Sequence, residues 1–405
     1  MCRLPLLVSL VMAFATTAHA VTRCKGHLQR DGTIEVTAAD VVGSPRWGLR
    51  YGAETNAFDD TADCLAGGRM RGCALAPGPT PAPASCTLYV RDDGPAGCST
   101  YLKRCLPGAE PPPCALLPPG NIWNRDISAM PVHPMSDAWV ASIGADRPLH
   151  PDFGSGRYRG GAIGIPYVVI GPAQPLVPIP FTYADESDPG PYPIPELVPI
   201  EGGGSRPSVG KGDAHVLLLQ AGTCRLYEVF AARFRKSQGG WSGGSGATYD
   251  LGSNTLRPAG WTSADAAGLP IVPGLVRYDE IVSGAITHAV RFASDVTQRA
   301  YVWPARHFAS PNEDANLPPM GIRVRLKADV DISGFSPTNR IILTALQHYG
   351  MMLADNGGSW FITGAPDARW DNEDLHALTT LHGSDFEVVD VSSLMIDPDS
   401  GATLP

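Results

Sequence analysis

Asp265, Glu280 and His288 have side chains of the types that hydrolysis of a glycosidic bond requires. Asp265 lies among small residues, Glu280 follows a Pro-Gly turn, and His288 lies on the next apolar run. This hydrolysis needs one carboxyl group that protonates the leaving oxygen and a second that attacks the sugar or activates water. We therefore predict Asp265 and Glu280 as an acid/base pair. His288 would approach Glu280 if residues 279–292 form a hairpin.

Aromatic and polar side chains that would bind a sugar flank this pair. Trp261 and Trp303 offer flat apolar surfaces for pyranose rings, although core packing is the commoner role of a tryptophan. Arg277 and Arg291 are the partners that Glu280 would take in a purely structural ion pair. The predicted substrate-binding residues are Asp185, Asp188, Trp261, Arg277, Trp303 and His307.

A short acidic segment carries three carboxylates in four positions, at Asp185, Glu186 and Asp188. Neighbouring like charges raise one another's pKa and can prepare a general acid. Carboxylate oxygens also suit Ca²⁺, although Ser187 and Pro189 break the EF-hand pattern. A solvated turn explains the segment equally well. We predict no cofactor, with Ca²⁺ at Asp185 and Asp188 as the alternative, and no other metal site.

Other chemistries have weaker support in the sequence. A polyuronate lyase needs a Tyr, His or Lys base and a cation for the uronate carboxylate. Those residue types cluster between residues 288 and 307, at His288, Arg291, Tyr301, Arg306 and His307. The segment 240–244 matches G-x-S-x-G, but glycine-rich sequence follows it where a nucleophile elbow requires a helix. No phosphate-binding loop or H-E-x-x-H motif is present, which disfavours nucleotide-dependent chemistry.

Composition and charge exclude several classes of protein. The 405 residues include 45 Gly and 39 Pro, and only 18% are charged, a composition that excludes a helical bundle or coiled coil. The apolar fraction of 43% is enough for a substantial core. The net charge of −9 without a basic stretch disfavours binding to nucleic acid.

The first twenty residues have the pattern of a secretory signal peptide. Arg3 precedes an apolar run over residues 4–15, and Ala18-His19-Ala20 supplies a cleavage site. The run is too short to span a bilayer, so we predict no stable membrane anchor and a secreted or periplasmic location. After cleavage eight cysteines remain, and an even count in an exported chain indicates disulfide bonds. Seven of the eight precede residue 115, so one of them would pair with Cys224 and connect the two parts of the chain.

The predicted organisation is mainly β. A small Cys-rich β module over residues 21–105 is followed by a Pro-rich linker over 106–120 and a large β-sandwich-like domain over 121–405. Strand-like runs are separated by Gly, Pro, Asn and Asp, at residues 33–37, 86–90, 165–170, 215–219, 226–234, 285–292, 300–303 and 322–328. A helix is predicted from Pro337 with Ser336 as its N-cap, and a second, short helix from Asp371.

Several segments of the large domain resemble a family of uncharacterised exported bacterial proteins, often found in polysaccharide-handling contexts. They are RPAGWTSADAAGLP at 257–270, PGLVRYDE at 273–280, ITHA at 286–289, YVWPARH at 301–307 and ADNGG at 354–358. The resemblance covers roughly residues 121–390. It implies a large β-fold and an extracellular setting, and it brings no established catalytic residues.

These observations favour an exported carbohydrate-active protein, with a glycoside hydrolase acting on an extracellular polysaccharide as the leading hypothesis. Two alternatives stay open. One is a polysaccharide-binding or surface-structural protein that uses the same tryptophans without turnover. The other is the polyuronate lyase.

Overall fold

A computed structural model describes the backbone of five strands before residue 107 and most of the chain after it. The described residues there are 112, 114–158, 161–195, 198–203, 213–235 and 240–404. The predicted signal peptide lies outside the described residues, as do the side chains of the first five strands. The chain divides into two compact units, Met1–Glu110 and Pro111–Pro405.

The first unit contains one antiparallel sheet of five strands in the order β3-β2-β1-β4-β5. The strands predicted at 33–37 and 86–90 lie within β2 and β4. In the register of β4 and β5, Cys86 lies opposite Cys105. The bounds are β1 Arg23–Leu28, β2 Thr33–Val41, β3 Gly48–Arg50, β4 Ser85–Asp92 and β5 Cys98–Leu106.

The second unit begins inside the segment that the sequence predicts as a linker. Leu117 is buried, and the side-chain amide of Asn124 donates to the carbonyl of Pro118 at 3.0 Å. These contacts attach the second half of the Pro-rich segment to the second unit.

A four-stranded sheet in the order β14-β11-β10-β9 forms one layer of the second unit. β9 and β10 are parallel, and the other pairs are antiparallel. All five residues of β10 are buried, as expected for a continuous apolar run in the centre of a sheet. The bounds are β9 Tyr167–Ile170, β10 Val216–Gln220, β11 Arg225–Phe230 and β14 Ser245–Asp250.

A mixed six-stranded sheet in the order β19-β16-β17-β15-β18-β6 forms the other layer. Two short pairs, β7 with β8 and β12 with β13, complete the strands. The bounds of the sheet are β6 His150–Asp152, β15 Val290–Ser294, β16 Arg323–Leu326, β17 Met351–Asn356, β18 Phe361–Thr363 and β19 Phe386–Val389. The short pairs are β7 Arg157–Tyr158, β8 Gly161–Ala162, β12 Arg233–Arg235 and β13 Gly240–Ser242.

Among the residues that the structure describes after position 110, four short α-helices lie around the sheets: α1 Ser136–Ile143, α2 Tyr278–Ser283, α3 Pro337–His348 and α4 Asn372–His376. The predicted N-cap of α3 is confirmed, because the hydroxyl of Ser336 accepts the backbone N–H of Asn339. Gly350 follows α3 at φ 64°, and a Cβ there would lie 2.2 Å from the carbonyl oxygen of Val324. Asp371 likewise caps α4 as predicted.

The mainly β prediction is confirmed, with 26% strand against 18% helix. Two local predictions are wrong. The expected hairpin over residues 279–292 is absent because its first half forms α2, which Glu280 stabilises by accepting the backbone N–H of Arg277. Residues 300–303 contain only an isolated bridge at Tyr301. Among the described residues, no helix has the length and apolar character needed to cross a membrane.

A segment without regular structure joins the two sheets and positions Asp265. The N–H of Ala267 donates to the carbonyl of Ala354 on β17 at 2.9 Å. On the other side, the N–H groups of Ile271 and Val272 donate to the carboxyl group of Glu228 on β11 at 3.0 Å. Burial raises the pKa of Glu228 to about 7 against the effect of these two hydrogen bonds. The segment is therefore anchored to both layers.

Candidate functional site

Arg291 on β15 is the centre of a buried charged group between the two sheets, which we call the Arg291 cluster. Its guanidinium donates to both carboxylate oxygens of Asp265, at 2.7 and 2.8 Å, and to Asp355 at 2.6 Å. A further N–H donates to the hydroxyl of Thr363 at 2.8 Å. Such a bidentate pair with a planar guanidinium is strong and directional. Arg291 therefore holds two carboxylates at one end of the sheet.

The register of the six-stranded sheet explains why a third carboxylate lies beside them. Phe292 pairs with Ile362, so Arg291 lies opposite Thr363 in the next strand. Thr363 in turn pairs with Asp152 at the end of β6. Arg291, Thr363 and Asp152 therefore form a row across three neighbouring strands, with Asp152 at the protein surface.

Asp355 is the member of the cluster whose protonation is most altered. Burial raises the pKa of Asp355 to about 7, and this effect outweighs the opposing charge of Arg291 while the negative charge of Asp265 adds to it. Its side chain nevertheless keeps 20% of its surface exposed. A carboxyl group that is half-protonated near neutral pH and reachable from solvent has the properties of a general acid.

Glu201 and His215, at the start of the four-stranded sheet, form an ion pair on the other side of this group. Nδ1 of His215 lies 2.6 Å from Oε2 of Glu201, and its Nε2 contacts the carbonyl of Ala264 at 2.9 Å. Burial opposes the charge on both residues, but their mutual attraction outweighs it. It raises the pKa of His215 to about 9 and, with Arg291, lowers the pKa of Glu201 below its ordinary value. Glu201 is therefore ionised at neutral pH.

The charges of these groups influence one another's pKa values. Partial burial raises the pKa of Asp152, and the negative charge of Glu201 raises it further while His150 and Arg291 oppose the rise. His215 and Arg291 act on both Glu201 and Asp355. Asp355 and Glu201 thus have pKa values moved in opposite directions, which is a recurrent arrangement of an acid and a base.

Asp265, the predicted acid, is held inside the Arg291 cluster. Its side chain has no exposed surface, and both of its oxygens bind Arg291. The N–H of Ala266 also donates to it at 3.1 Å. A carboxylate enclosed in this way cannot contact a polymer, so the geometry does not support the acid role for Asp265. It supports a positioning role for this residue, through Arg291.

Glu280, its predicted partner, belongs to a separate group around Arg277, which we call the Arg277 cluster. Glu280 forms an ion pair with Arg277 and lies 2.9 Å from Nε2 of His288. The predicted approach of His288 to Glu280 is therefore observed, although it arises from α2 and not from a hairpin. Arg277 also donates to the carbonyl oxygens of Val272 and Leu275. The structure thus engages Asp265 and Glu280 with different arginines.

We expect Glu280→Gln to reduce stability in a pH-dependent way. Burial disfavours the charge on Glu280, but Arg277 and His288 outweigh burial and lower its pKa to about 2 from an ordinary value of 4.5. A lowered pKa stabilises the folded state above the unfolded-state value, and this contribution is lost as the pH falls towards 2. The gap in unfolding free energy between wild type and variant should be constant above about pH 5 and shrink below it. Urea unfolding between pH 3 and 7 measures the gap; one that widens on acidification would contradict the assignment.

Four residues near the predicted acidic loop assemble around Arg257 and form what we call the Arg257 cluster. Asp188 forms an ion pair with Arg257, whose guanidinium lies 5.6 Å from the ring centre of Trp261. Nε2 of His307 lies 3.6 Å from Oε2 of Glu186, whose backbone carbonyl accepts a hydrogen bond from Arg257. Three predicted substrate-binding residues, Asp188, Trp261 and His307, are therefore brought together.

The other predicted binding residues take different positions. Asp185 lies on a single 3₁₀ turn and is exposed. Trp303 is half-buried, like Trp261, and its indole N–H donates to the carbonyl of Ser400 at 2.8 Å. Tyr192, which follows the acidic segment, is buried in the core against Phe181. Arg277 belongs to the Arg277 cluster.

The Ca²⁺ alternative is not favoured by the contacts of Asp188. One carboxylate oxygen, Oδ2, accepts hydrogen bonds from Arg257 and from the N–H of Thr248 at 2.8 Å, so this oxygen already has two donors where a cation would require a free oxygen. Across the described part of the chain, no group of three or more His, Cys, Asp or Glu side chains is arranged to hold a metal ion.

Two surface pockets lie away from the Arg291 cluster. One, of about 440 Å³, is lined mainly by Phe181, Tyr183, Phe230 and Arg233, and the other, of about 330 Å³, lies between α2 and α3. Their walls are largely apolar and carry no carboxylate, so they offer no acid or base. We place the candidate site at the Arg291 cluster because the chemistry requires carboxyl groups.

Sequence reasoning missed Asp152, Glu201, His215 and Asp355. Asp355 carries a recognisable signal, because it ends the apolar run of β17, where a charged residue is unusual inside a sheet. The other three have no distinctive spacing, because Asp152 ends the short β6, Glu201 lies in a turn and His215 immediately precedes β10. Their convergence depends on the pairing of β18 with β6 and on the packing of two sheets.

Comparison with known proteins gives no relative. No protein-family model, curated protein or solved structure matches the chain. The resemblance of segments in residues 257–358 to exported bacterial proteins therefore stays a prediction.

Proposed function

We propose that the second unit is a glycoside hydrolase acting on an extracellular polysaccharide of neutral sugars. The observation that carries the proposal is the pair Asp355 and Glu201, whose pKa values are moved apart around Arg291 and His215. In this proposal Asp355 and Glu201 replace Asp265 and Glu280 as the acid and the base, and the reaction is still hydrolysis of a glycosidic bond.

In this proposal Asp355 gives its proton to the glycosidic oxygen as the bond between that oxygen and the anomeric carbon breaks. Glu201, already ionised, removes a proton from the attacking water or attacks the anomeric carbon itself. Asp265 and Arg291 do not touch the substrate. They position Asp355, and the negative charge of Asp265 helps Asp355 to retain its proton against the opposing charge of Arg291.

The charge of the site favours a neutral sugar over a uronate. The site holds four carboxyl groups, Asp152, Glu201, Asp265 and Asp355, against the cations Arg291 and His215 and the imidazole of His150, whose pKa burial lowers. A uronate carboxylate brought to this site would add a further negative charge without a free partner, because Arg257, Arg277 and Arg291 are each already paired with a carboxylate. This disfavours the lyase alternative.

Incubation of the purified mature chain with a panel of neutral and uronate polysaccharides tests the proposal. We expect new reducing ends from at least one neutral polymer and no ultraviolet-absorbing unsaturated product from any uronate polymer. The anomeric configuration of the first product distinguishes direct attack by Glu201 from activation of water. An unsaturated product, or the absence of cleavage across the neutral panel, would contradict the proposal.

The half-exposed rings of Trp261 and Trp303 favour a second candidate, a protein that binds polysaccharide without turnover. Their main chains are neighbours, since the N–H of Gly260 donates to the carbonyl of Arg306 at 2.7 Å. Binding that is lost in Trp261→Ala and Trp303→Ala but unchanged in Asp355→Asn, with no product formed, would support this candidate in place of the hydrolase.

A further inference from the structure

We propose that Cys114 and Cys224 form a disulfide bond within the second unit. Their thiols are hydrogen-bonding neighbours, and both are half-buried. The proposal rests on this contact and on the predicted export of the chain. It does not depend on the hydrolase.

Each cysteine lies in a segment whose contacts do not involve the other cysteine. Cys224 lies in the turn between β10 and β11, and its carbonyl accepts the N–H of Leu251 at 3.0 Å. Cys114 precedes the buried Leu117 by three residues, in the segment that Asn124 holds. The fold thus brings two distant segments together at this pair of thiols, and a native disulfide requires such proximity.

The arithmetic of the remaining cysteines agrees with this pairing. Removal of Cys2 with the predicted signal peptide leaves eight, and the proposed bond uses two. Six remain, all before residue 106: Cys24, Cys64, Cys73, Cys86, Cys98 and Cys105. Six is an even number, so the first unit can pair its own cysteines. The sequence predicts that Cys224 ties the two parts of the chain together; Cys114 belongs to the second unit, so the bond lies within that unit.

The chemistry of the pair favours a structural bond over a redox-active one. Burial and the neighbouring thiol of Cys224 raise the pKa of Cys114 to about 12, whereas redox-active cysteines have lowered pKa values. Bond formation removes two protons and two electrons from the thiols. The electrons reduce the disulfide of an exported thiol-disulfide oxidoreductase to its dithiol.

Mass spectrometry of the full chain, exported with its own leader, tests the proposal. Free thiols are alkylated under denaturing conditions without reductant, and the chain is then digested. We expect a cross-linked peptide that contains Cys114 and Cys224, which separates after reduction. Alkylation of both residues before reduction, or a cross-link from Cys224 to a cysteine of the first unit, would overturn the proposal.

Serine variants give a second readout that does not depend on peptide recovery. The Cys224→Ser chain should expose one additional alkylatable thiol, at Cys114, whereas Cys114→Ser/Cys224→Ser should expose none. A disulfide bond that closes the loop from Cys114 to Cys224 stabilises the fold because it reduces the conformational entropy of the unfolded chain. The double variant should therefore melt about 5–10 °C below oxidised wild type. Equal melting temperatures for the double variant and oxidised wild type, with no additional thiol in Cys224→Ser, would contradict the bond.

Discussion

Asp355→Asn is expected to lose about 10²–10⁴-fold in kcat/KM on a responsive neutral polysaccharide while remaining folded. An amide cannot give a proton to the leaving oxygen, so the loss should fall on kcat more than on KM.

The stability of the folded state should also depend on the protonation of Asp355. The folded state prefers Asp355 protonated, since burial raises its pKa to about 7. Stability therefore declines as the pH rises from the unfolded-state value of 3.8 towards 7, and it is lowest above pH 7. Neutral asparagine avoids this cost, so the variant should be at least as stable as wild type at pH 8.

Glu280→Gln is the matched control for the loss of activity. It removes a carboxylate of similar burial that belongs to the Arg277 cluster, and it should keep activity within a few-fold of wild type at neutral pH. If Glu280→Gln were inactive and Asp355→Asn active, both of them folded, the acid would lie in the Arg277 cluster and the present assignment would be wrong.

Arg291→Leu should lower the free energy of unfolding by about 3–5 kcal/mol, more than Glu280→Gln or Arg147→Leu. Removal of the guanidinium leaves Asp265, which has no exposed surface, as an unpaired buried charge and withdraws a partner from Asp355. Replacing both members of the pair, in Arg291→Leu/Asp265→Leu, should restore part of the loss because no buried charge then remains at that position.

Arg147→Leu provides the matched control for this prediction. Arg147 also forms an ion pair, with Asp295, but both side chains are more than 40% exposed. Solvent screening limits such a pair to about 0–1 kcal/mol. Urea unfolding at neutral pH compares the two variants directly. Equal losses of unfolding free energy for Arg291→Leu and Arg147→Leu would show that the buried Arg291 cluster contributes no more to stability than an exposed ion pair.

Local signals in the sequence predict much of the fold. Short apolar runs between Gly and Pro turns locate β9, β10, β11 and β16, and the Ser336-Pro337 pair locates the start of α3. These features depend on neighbouring residues only. The prediction for the region after Pro273-Gly274 was wrong because Glu280 accepts the backbone N–H of Arg277 and favours a helix where a hairpin was expected.

The candidate site is less accessible to sequence reasoning because its members are distant along the chain. Asp152 and Asp355 are 203 residues apart and are brought near Arg291 only through strand order, while Glu201 and His215 precede a strand of the other sheet. Residue type identified Asp265 as a candidate acid, but type cannot show that its oxygens are already bound to Arg291. The sequence therefore indicates which carboxylates are present but not which of them keep a proton.

A ¹³C NMR titration of the side-chain carboxyl carbons tests the central claim most directly, with Asp355→Asn and Glu201→Gln used to assign the two signals. We predict that Asp355 titrates with a midpoint of about 7 and that Glu201 titrates below its ordinary value of 4.5. A midpoint for Asp355 near 4, or one for Glu201 above that of Asp355, would contradict the assignment of the acid and the base.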